Sequence, residues 1–276
     1  MKLSLNKKSE LFQRIVAGIV GSFVIVSSIY YDKWTYFVVF FFICMFSMLE
    51  FYKLLGLDGN LPLKTYGTLN GLFIYVITFL IEANIIPSKF LFVIFIGLSA
   101  VYLIKLYLKR DPNPFANIAF TFLGIIYVGL PFALLHTAVF FDDQYHYEVI
   151  LGSLFILWAS DTGAYFSGKN FGKRKLFARV SPKKTWEGSI GGGILALAFG
   201  WGFSNYFLSL TTWQWLCISV IIVVAGTYGD LVESLFKRSM RIKDSGRTIP
   251  GHGGFLDRFD GLLIASPFIV AFIKLF

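Results

Sequence analysis

Apolar residues in this chain of 276 residues come as long uninterrupted blocks, separated by short polar connections. A helix of about twenty apolar residues crosses the ~30 Å hydrocarbon core of a bilayer. It also satisfies its own backbone hydrogen bonds there, which an irregular segment does not. Blocks of this length predict membrane-spanning helices near residues 12–31, 34–55, 66–83, 89–108, 115–140, 148–168, 188–208, 212–232 and 259–275. No segment reads as a separate soluble domain, and no internal repeat or low-complexity tract interrupts the series. The expected fold is therefore an all-α integral membrane protein of about nine transmembrane helices.

Composition agrees with the pattern. The chain is 56% hydrophobic and 15% charged, against about 25% charged for a soluble domain. Lys7 and Lys8 precede the first apolar run as they would in a signal peptide. That run is long, lacks an A-x-A-like cleavage site and leads straight into a second span, so a retained helix is expected. The net charge of +9 changes meaning once it is mapped onto the connections. With the N-terminus on the cytoplasmic side, only Lys33, Lys89 and Lys274 of the 25 basic residues fall on the far side. Cytoplasmic loops carry such an excess of Lys and Arg, so the split fixes the expected sidedness and removes nucleic acid as the reason for the charge. Cys44 and Cys217 lie in predicted spans with no Cys or His at ligand spacing, and read as apolar packing residues.

Two cytoplasmic segments hold nearly all the unusual chemistry: "SDTGAYFSGKNFGKRKLFARVSPKKTWEGSIGGG" (160–193) and "GDLVESLFKRSMRIKDSGRTIPGHGGFLDRFDG" (229–261). Each begins with a carboxylate at membrane depth and continues with several bases and glycines. An ionised carboxylate in a span costs roughly 2.5–3.5 kcal/mol on insertion scales and faces a cavity or a partner. Asp161, Asp230 and Glu233 are open to two readings, helix-end residues paired with loop lysines or ligands of a hard divalent cation such as Mg2+. Asp257 and Asp260, three apart, share a face if the last helix already begins there. Among the bases, Lys173, Arg174 and Lys175 suit attraction to anionic lipid. Lys183 and Lys184 sit in S-P-K-K-T-W-E-G immediately before a predicted helix, where amide N–H groups and adjacent lysines favour an anion. Lys237, Arg238, Arg241, Lys243, Arg247 and Arg258 fit either reading. Gly253 and Gly254 would let backbone approach a phosphate, whereas Gly191, Gly192 and Gly193 inside a span suit close helix packing. His252 alone signals a general base weakly, and a positioned donor suits it as well. His136 and His146 lie near the opposite face. Carboxylates for a metal beside bases for oxyanions is the equipment of phosphoryl or nucleotidyl transfer. No Walker A loop or dinucleotide fingerprint is present.

The run Ser234-Leu-Phe-Lys-Arg-x4-Lys243-Asp244-x-Gly246-x2-Ile249-Pro250-x-His252-Gly-Gly-Phe-x-Asp257-Arg-Phe-Asp260 resembles, without departure, the signature of phosphatidate cytidylyltransferases, also called CDP-diacylglycerol synthases. D-T-G-A-Y-x-x-G at 161–168 and S-P-K-K-T-W-E-G at 181–188 are similar to that family too, and E-F-Y-K-L-L at 50–55 more weakly. The resemblance is strongest over residues 155–265. It implies CTP plus phosphatidate giving CDP-diacylglycerol and pyrophosphate in phospholipid biosynthesis, with Mg2+ and a monovalent ion such as K+. It further implies a homodimeric multi-pass enzyme of the cytoplasmic (inner) membrane whose polar site opens to the cytoplasm. The chain then reads as one polytopic domain, 1–276, with N-terminal spans over 1–147 and catalytic spans and loops over 148–276.

The reactants together carry about −5 to −6 charges near neutral pH, so their approach needs cations. The attacking group is already an oxyanion, which argues against His252 as a base. Asp230 and Asp257 are the leading candidate metal ligands, followed by Asp260 and Asp161. Lys183, Lys237 and Arg258 are candidates for catalytic phosphate contacts. Lys184, Arg238, Lys243, His252, Gly253 and Gly254 are candidates for binding CTP or phosphatidate. Two rivals are weighed: a CTP-using lipid-alcohol kinase, which would release CDP, and a transporter, which the clustering of polar residues at one membrane face disfavours. A catalytically dead relative is disfavoured because every acidic and basic position of the signature is present.

Overall fold

The computed structural model describes residues 2–57, 59–142, 144–240, 242, 246 and 253–276, and the side chains of these except 2–11 and 14. Ten α-helices account for the apolar blocks: α1 Lys2–Tyr31, α2 Lys33–Leu57, α3 Lys64–Glu82, α4 Phe92–Tyr107 after a 3-10 turn, α5 Pro114–Gly124, α6 Leu130–Val139, α7 Tyr147–Phe171, α8 Trp186–Phe203, α9 Thr212–Ser239 and α10 Leu256–Leu275. Among the described residues, six helical runs are long and apolar enough to cross a membrane: Lys33–Leu57, Lys64–Glu82, Ser88–Tyr107, Pro114–Val139, Tyr147–Phe171 and Thr212–Ser239. The other three expected spans coincide with α1, α8 and α10.

Local chemistry sets several of the boundaries. Asp32 separates α1 from α2 and caps the latter, its Oδ2 accepting from the Trp34 N–H at 2.9 Å. Thr211 and Gln214 form a reciprocal capping box at the start of α9, closing two orphan N–H groups at once. The expected fifth span is one helical run interrupted by a π turn at Ile125–Gly129. Its cause is Pro131, which has no N–H to donate to the Tyr127 carbonyl four residues back and whose ring would strike it.

Small residues decide how close the helices come. The largest interface joins α7 to α8, where Gly192 lies so near α7 that a Cβ would sit 2.7 Å from the Ser160 carbonyl oxygen. The glycine run there serves helix packing, as its position inside a span suggested. A second close approach joins α9 to α10: a Cβ on Gly229 would lie 2.9 Å from the Gly261 Cα. The core between these helices and α2, α3 and α6 is rich in aromatic rings, with Tyr36, Phe40, Tyr75, Phe132 and Trp215 buried. His136 is buried among them, its Nδ1 3.2 Å from the Tyr36 hydroxyl. Both cysteines are unpaired thiols.

Two short hairpins are additions to the all-α expectation: β1 Phe140–Phe141 with β2 Gln144–Tyr145, and β3 Lys175–Phe177 with β4 Ser181–Thr185. The second converts the connection before α8 into a strand that carries Lys183 and Lys184.

Candidate active site

Four helix ends meet at one end of the bundle: the C-terminal parts of α7 and α9 and the N-terminal ends of α8 and α10. Antiparallel alternation requires that arrangement, and each end brings its own polar group. Helix α9 continues two turns past the expected end at residue 232, so Asp230, Glu233 and Lys237 lie on helix. Their i, i+3 and i+4 spacing puts all three on one face. Helix α10 begins at Leu256, which brings Asp257 and Asp260 into its first turns. The Gly229 contact then carries Asp260 against the acidic face of α9.

Three carboxylates converge as a result. Oxygen atoms of Asp230, Glu233 and Asp260 lie within 4.8 Å of one another. Glu233 is buried, and its Oε1 has no hydrogen-bond partner among the described residues. Its Oε2 pairs with Lys237 Nζ at 2.6 Å, and the same Nζ reaches Asp257 Oδ1 at 2.8 Å. Lys237 thus ties α9 to the start of α10 through Asp257, while its pair with Glu233 stays within α9. Asp257 Oδ2 accepts from the Gly254 N–H at 3.0 Å. Gly253 has φ +85°, and a Cβ there would meet that same oxygen at 2.6 Å. Both glycines therefore let the chain wrap over Asp257, and the Gly254 amide already has a carboxylate partner.

Beside the cluster lies a cavity of about 390 Å3 between α7, β4, α8 and α9, a size suited to a small-molecule ligand. Asp161, Lys183, Lys184, Ser189, Thr227 and Asp230 contribute to its lining. Lys184 forms an ion pair with Asp230 Oδ2 and lies 3.4 Å from the Thr227 carbonyl oxygen. Asp161 interacts electrostatically with Lys184, Asp230 and Arg258. Lys183 is exposed at the rim. Asp230 belongs to both features, facing the cavity through Lys184 and the carboxylate cluster through Glu233 and Asp260.

The strand that presents the lysines is held from two sides. Glu187 Oε2 accepts from the Lys173 N–H at 3.0 Å, and both its oxygens lie 3.2 Å from the Arg174 N–H. Thr185 caps α8, its Oγ1 accepting from the Gly188 N–H at 3.2 Å. That amide is thereby occupied, so the anion-binding character of this segment rests on Lys183 and Lys184. Arg238 is exposed and its Nη1 donates to the Ile242 carbonyl at 3.2 Å, closing the end of α9. Arg258 is exposed on the first turn of α10. Lys243 and His252, with Arg241 and Arg247, lie outside the described residues.

The model of the cytidylyltransferase family matches residues 12–276. The chain belongs to that family. A phosphatidate cytidylyltransferase of Bacillus subtilis (strain 168) is 40% identical over 186 residues, covering 66% of this chain and 68% of the relative. One from Haemophilus influenzae is 43% identical over 166 residues, 58% of each. One from Staphylococcus haemolyticus is 39% identical over 175 residues, 63% of this chain and 66% of the relative. The matched segments thus span between 58% and 68% of the length of these relatives.

In this member of the cytidylyltransferase family, the structure brings together Asp161, Asp230, Asp257, Asp260, Lys183, Lys184 and Lys237. It adds Glu233, open from sequence to both a helix-end and a ligand reading, as the third carboxylate of the cluster. The spacing D-x-x-E-x-x-x-K over 230–237 is the signal that identifies it, once α9 is allowed to run on. It also adds Glu50 of α2, which is buried and accepts from the Leu256 N–H at 3.0 Å. The weak E-F-Y-K-L-L similarity was the sequence's one pointer to it.

Proposed function

We propose that this chain is a phosphatidate cytidylyltransferase, transferring the cytidylyl group of CTP to phosphatidate at the cytoplasmic face of a membrane that it crosses nine times. The observation that carries the reading is the convergence of Asp230, Glu233 and Asp260 within 4.8 Å, beside Lys184 and Lys237 and next to the cavity. Family membership supplies the reaction class. The distribution of Lys and Arg and the gathering of the charged ends of α7 to α10 support the sidedness.

One phosphate oxygen of phosphatidate forms the new bond at the α-phosphorus of CTP. The bond from that phosphorus to the bridging oxygen breaks, and pyrophosphate leaves with the electron pair. No proton has to be removed from the nucleophile. The protein's task is to hold two polyanions together, and its residues divide that task by charge. Lys183 and Lys184 at the cavity, Lys237 behind the cluster and Arg258 on α10 supply positive charge for phosphate oxygens. Asp257, held by Lys237 and Gly254, fixes the first turn of α10.

A divalent cation fits the cluster, because three carboxylates with a buried, unpartnered Glu233 oxygen form a hard oxygen donor set. Asp230, Glu233 and Asp260 would hold it, with Asp161 and Asp257 around them. Bound Mg2+ supplies charge neutralisation on phosphate oxygens. Purified protein in detergent, given labelled CTP, phosphatidate and Mg2+, should release pyrophosphate and form a CMP-labelled lipid. Release of CDP with a phosphorylated lipid would mark a CTP-using kinase instead. Undiminished turnover in chelator would remove the metal from the scheme.

A further inference from the structure

The π turn at Ile125–Gly129 is the one such turn among the described residues, and π turns inside helices gather at functional sites. Tyr127 stands at its centre. Its ring packs against Phe51 at 5.8 Å, and Phe51 stacks on Phe236 of α9 at 5.0 Å. The ring stack thus runs from the π turn to the helix that carries Asp230, Glu233 and Lys237. The Tyr127 hydroxyl is buried and has no hydrogen-bond partner among the described residues. Glu233, Asp260 and Asp230 are its charged neighbours, Glu233 interacting most strongly.

Two orphaned polar atoms thus stand at the two ends of this ring path, one on the π turn and one on α9 a turn before Phe236, and they are complementary. The Tyr127 hydroxyl is a donor, and the Glu233 Oε1 is an acceptor whose companion oxygen is already taken by Lys237. Leaving a buried polar group unsatisfied is costly, so a pair of this kind is retained where it serves a ligand or a bridging contact. Pro131 forces the turn that places the hydroxyl there.

We propose that Tyr127 is a positioning residue for the carboxylate cluster, its hydroxyl donating toward Glu233 across one water and holding that carboxylate in place for a divalent cation. The proposal rests on the metal reading above. It extends the site into the N-terminal half of the chain, which the family signature does not reach.

Mn2+ binding to the purified full chain in detergent, followed by electron paramagnetic resonance without nucleotide or lipid, tests it. The wild type should bind Mn2+ saturably, and Tyr127→Phe should weaken that binding about tenfold, as loss of an outer hydrogen-bond partner of a metal ligand does. Thermal unfolding of each variant reports whether the fold is kept. In the Glu233→Gln background the further change to Phe should have little effect, because the hydroxyl acts through Glu233. Unaltered Mn2+ affinity in Tyr127→Phe, or the same fractional loss in both backgrounds, overturns the proposal. Absence of saturable Mn2+ binding in the wild type overturns the metal reading and this proposal with it, whereas binding that is unchanged in Tyr127→Phe overturns this proposal alone.

Discussion

Glu50 is the residue through which a distant helix sets the geometry of the site. Its carboxylate is 6% exposed and accepts the Leu256 N–H at 3.0 Å across 206 residues of sequence. Among the described residues, the N-cap Phe255 supplies no side-chain cap to that end. Four residues earlier on α2, Phe46 stacks on Phe255 at 5.2 Å, so one helix face grips the start of α10 by a ring and a carboxylate. A hydrogen bond to a charged acceptor contributes about 1.5–3 kcal/mol, and loss of an N-terminal cap alone costs typically ~1 kcal/mol. Glu50→Ala should then destabilise the first turn of α10 by about 2 kcal/mol, which corresponds to roughly a 30-fold change in the equilibrium that keeps Asp257 and Asp260 in place. Glu50→Gln keeps an acceptor and loses the charge, so its deficit should be about half as large in free energy. Turnover of labelled CTP in detergent, with thermal unfolding measured alongside, should rank wild type above Gln and Gln above Ala. Wild-type turnover in the Ala variant would refute the capping argument. A Gln variant as impaired as Ala would show that charge, and not the acceptor, is what the site needs.

Four further outcomes follow, two from the packing of α9 on α10 and two from an ion pair at the end of α4. Gly229→Ala places a methyl 2.5 Å from the Asp260 carbonyl oxygen, and forcing α9 from α10 should cost about 1–3 kcal/mol and lower Mn2+ affinity along with turnover. Lys237→Met strips a cation from Glu233 and Asp257 together, so its turnover should fall below that of Asp257→Asn, which leaves the Lys237–Glu233 pair intact; equal activity of the two would contradict the bridging role. In the last turn of α4, Lys105 pairs with Asp111 of the loop before α5, with side chains only 2% and 4% exposed, and breaking such a pair by Lys105→Met should cost about 3–5 kcal/mol in thermal unfolding. Burial alone would raise the Asp111 pKa, but hydrogen bonds from Lys105, Asn117 and the Asn113 N–H, with the Lys105 charge, hold it below the ordinary carboxylate value. Its stabilising effect is therefore complete above the unfolded carboxylate range and is lost as pH falls through the lower folded value. The stability gap between wild type and Asp111→Asn should close on acidification and stay constant near neutrality.

The helices were legible because a single quantity, continuous hydropathy over about twenty residues, determines them. The same quantity misplaced the end of α9. Its last two turns are amphipathic, and a hydropathy block stops at residue 232 where the acidic face begins. The hairpin β3–β4 left no pattern either. K-L-F and S-P-K-K-T show no alternation, and what stabilises the strand is pairing plus the Glu187 contacts, which are tertiary in origin.

The site was legible in its inventory and less so in its assignments. Charged residues in apolar surroundings announce themselves, so Asp161, Asp230, Asp257, Asp260 and the lysines could be named from sequence. What the residues do to one another depends on which helix faces meet, and that depends on glycines. Without Gly229 the Asp260 carboxylate would stand away from Asp230 and Glu233, and the three would be separate helix-end charges, the bland alternative that composition alone leaves open. With it, Lys184 and Lys237 each take a carboxylate from the edges of the group, and Glu233 keeps one oxygen turned inward. Glu50 and Tyr127 were less legible for a different reason. Glu50 is a carboxylate inside the second apolar block and Tyr127 is ordinary for its own helix, and what each contacts depends on how α2 and the π turn pack against their neighbours. A signature confined to the C-terminal half thus names the groups that carry charge, while the N-terminal half supplies the contacts that hold them in register.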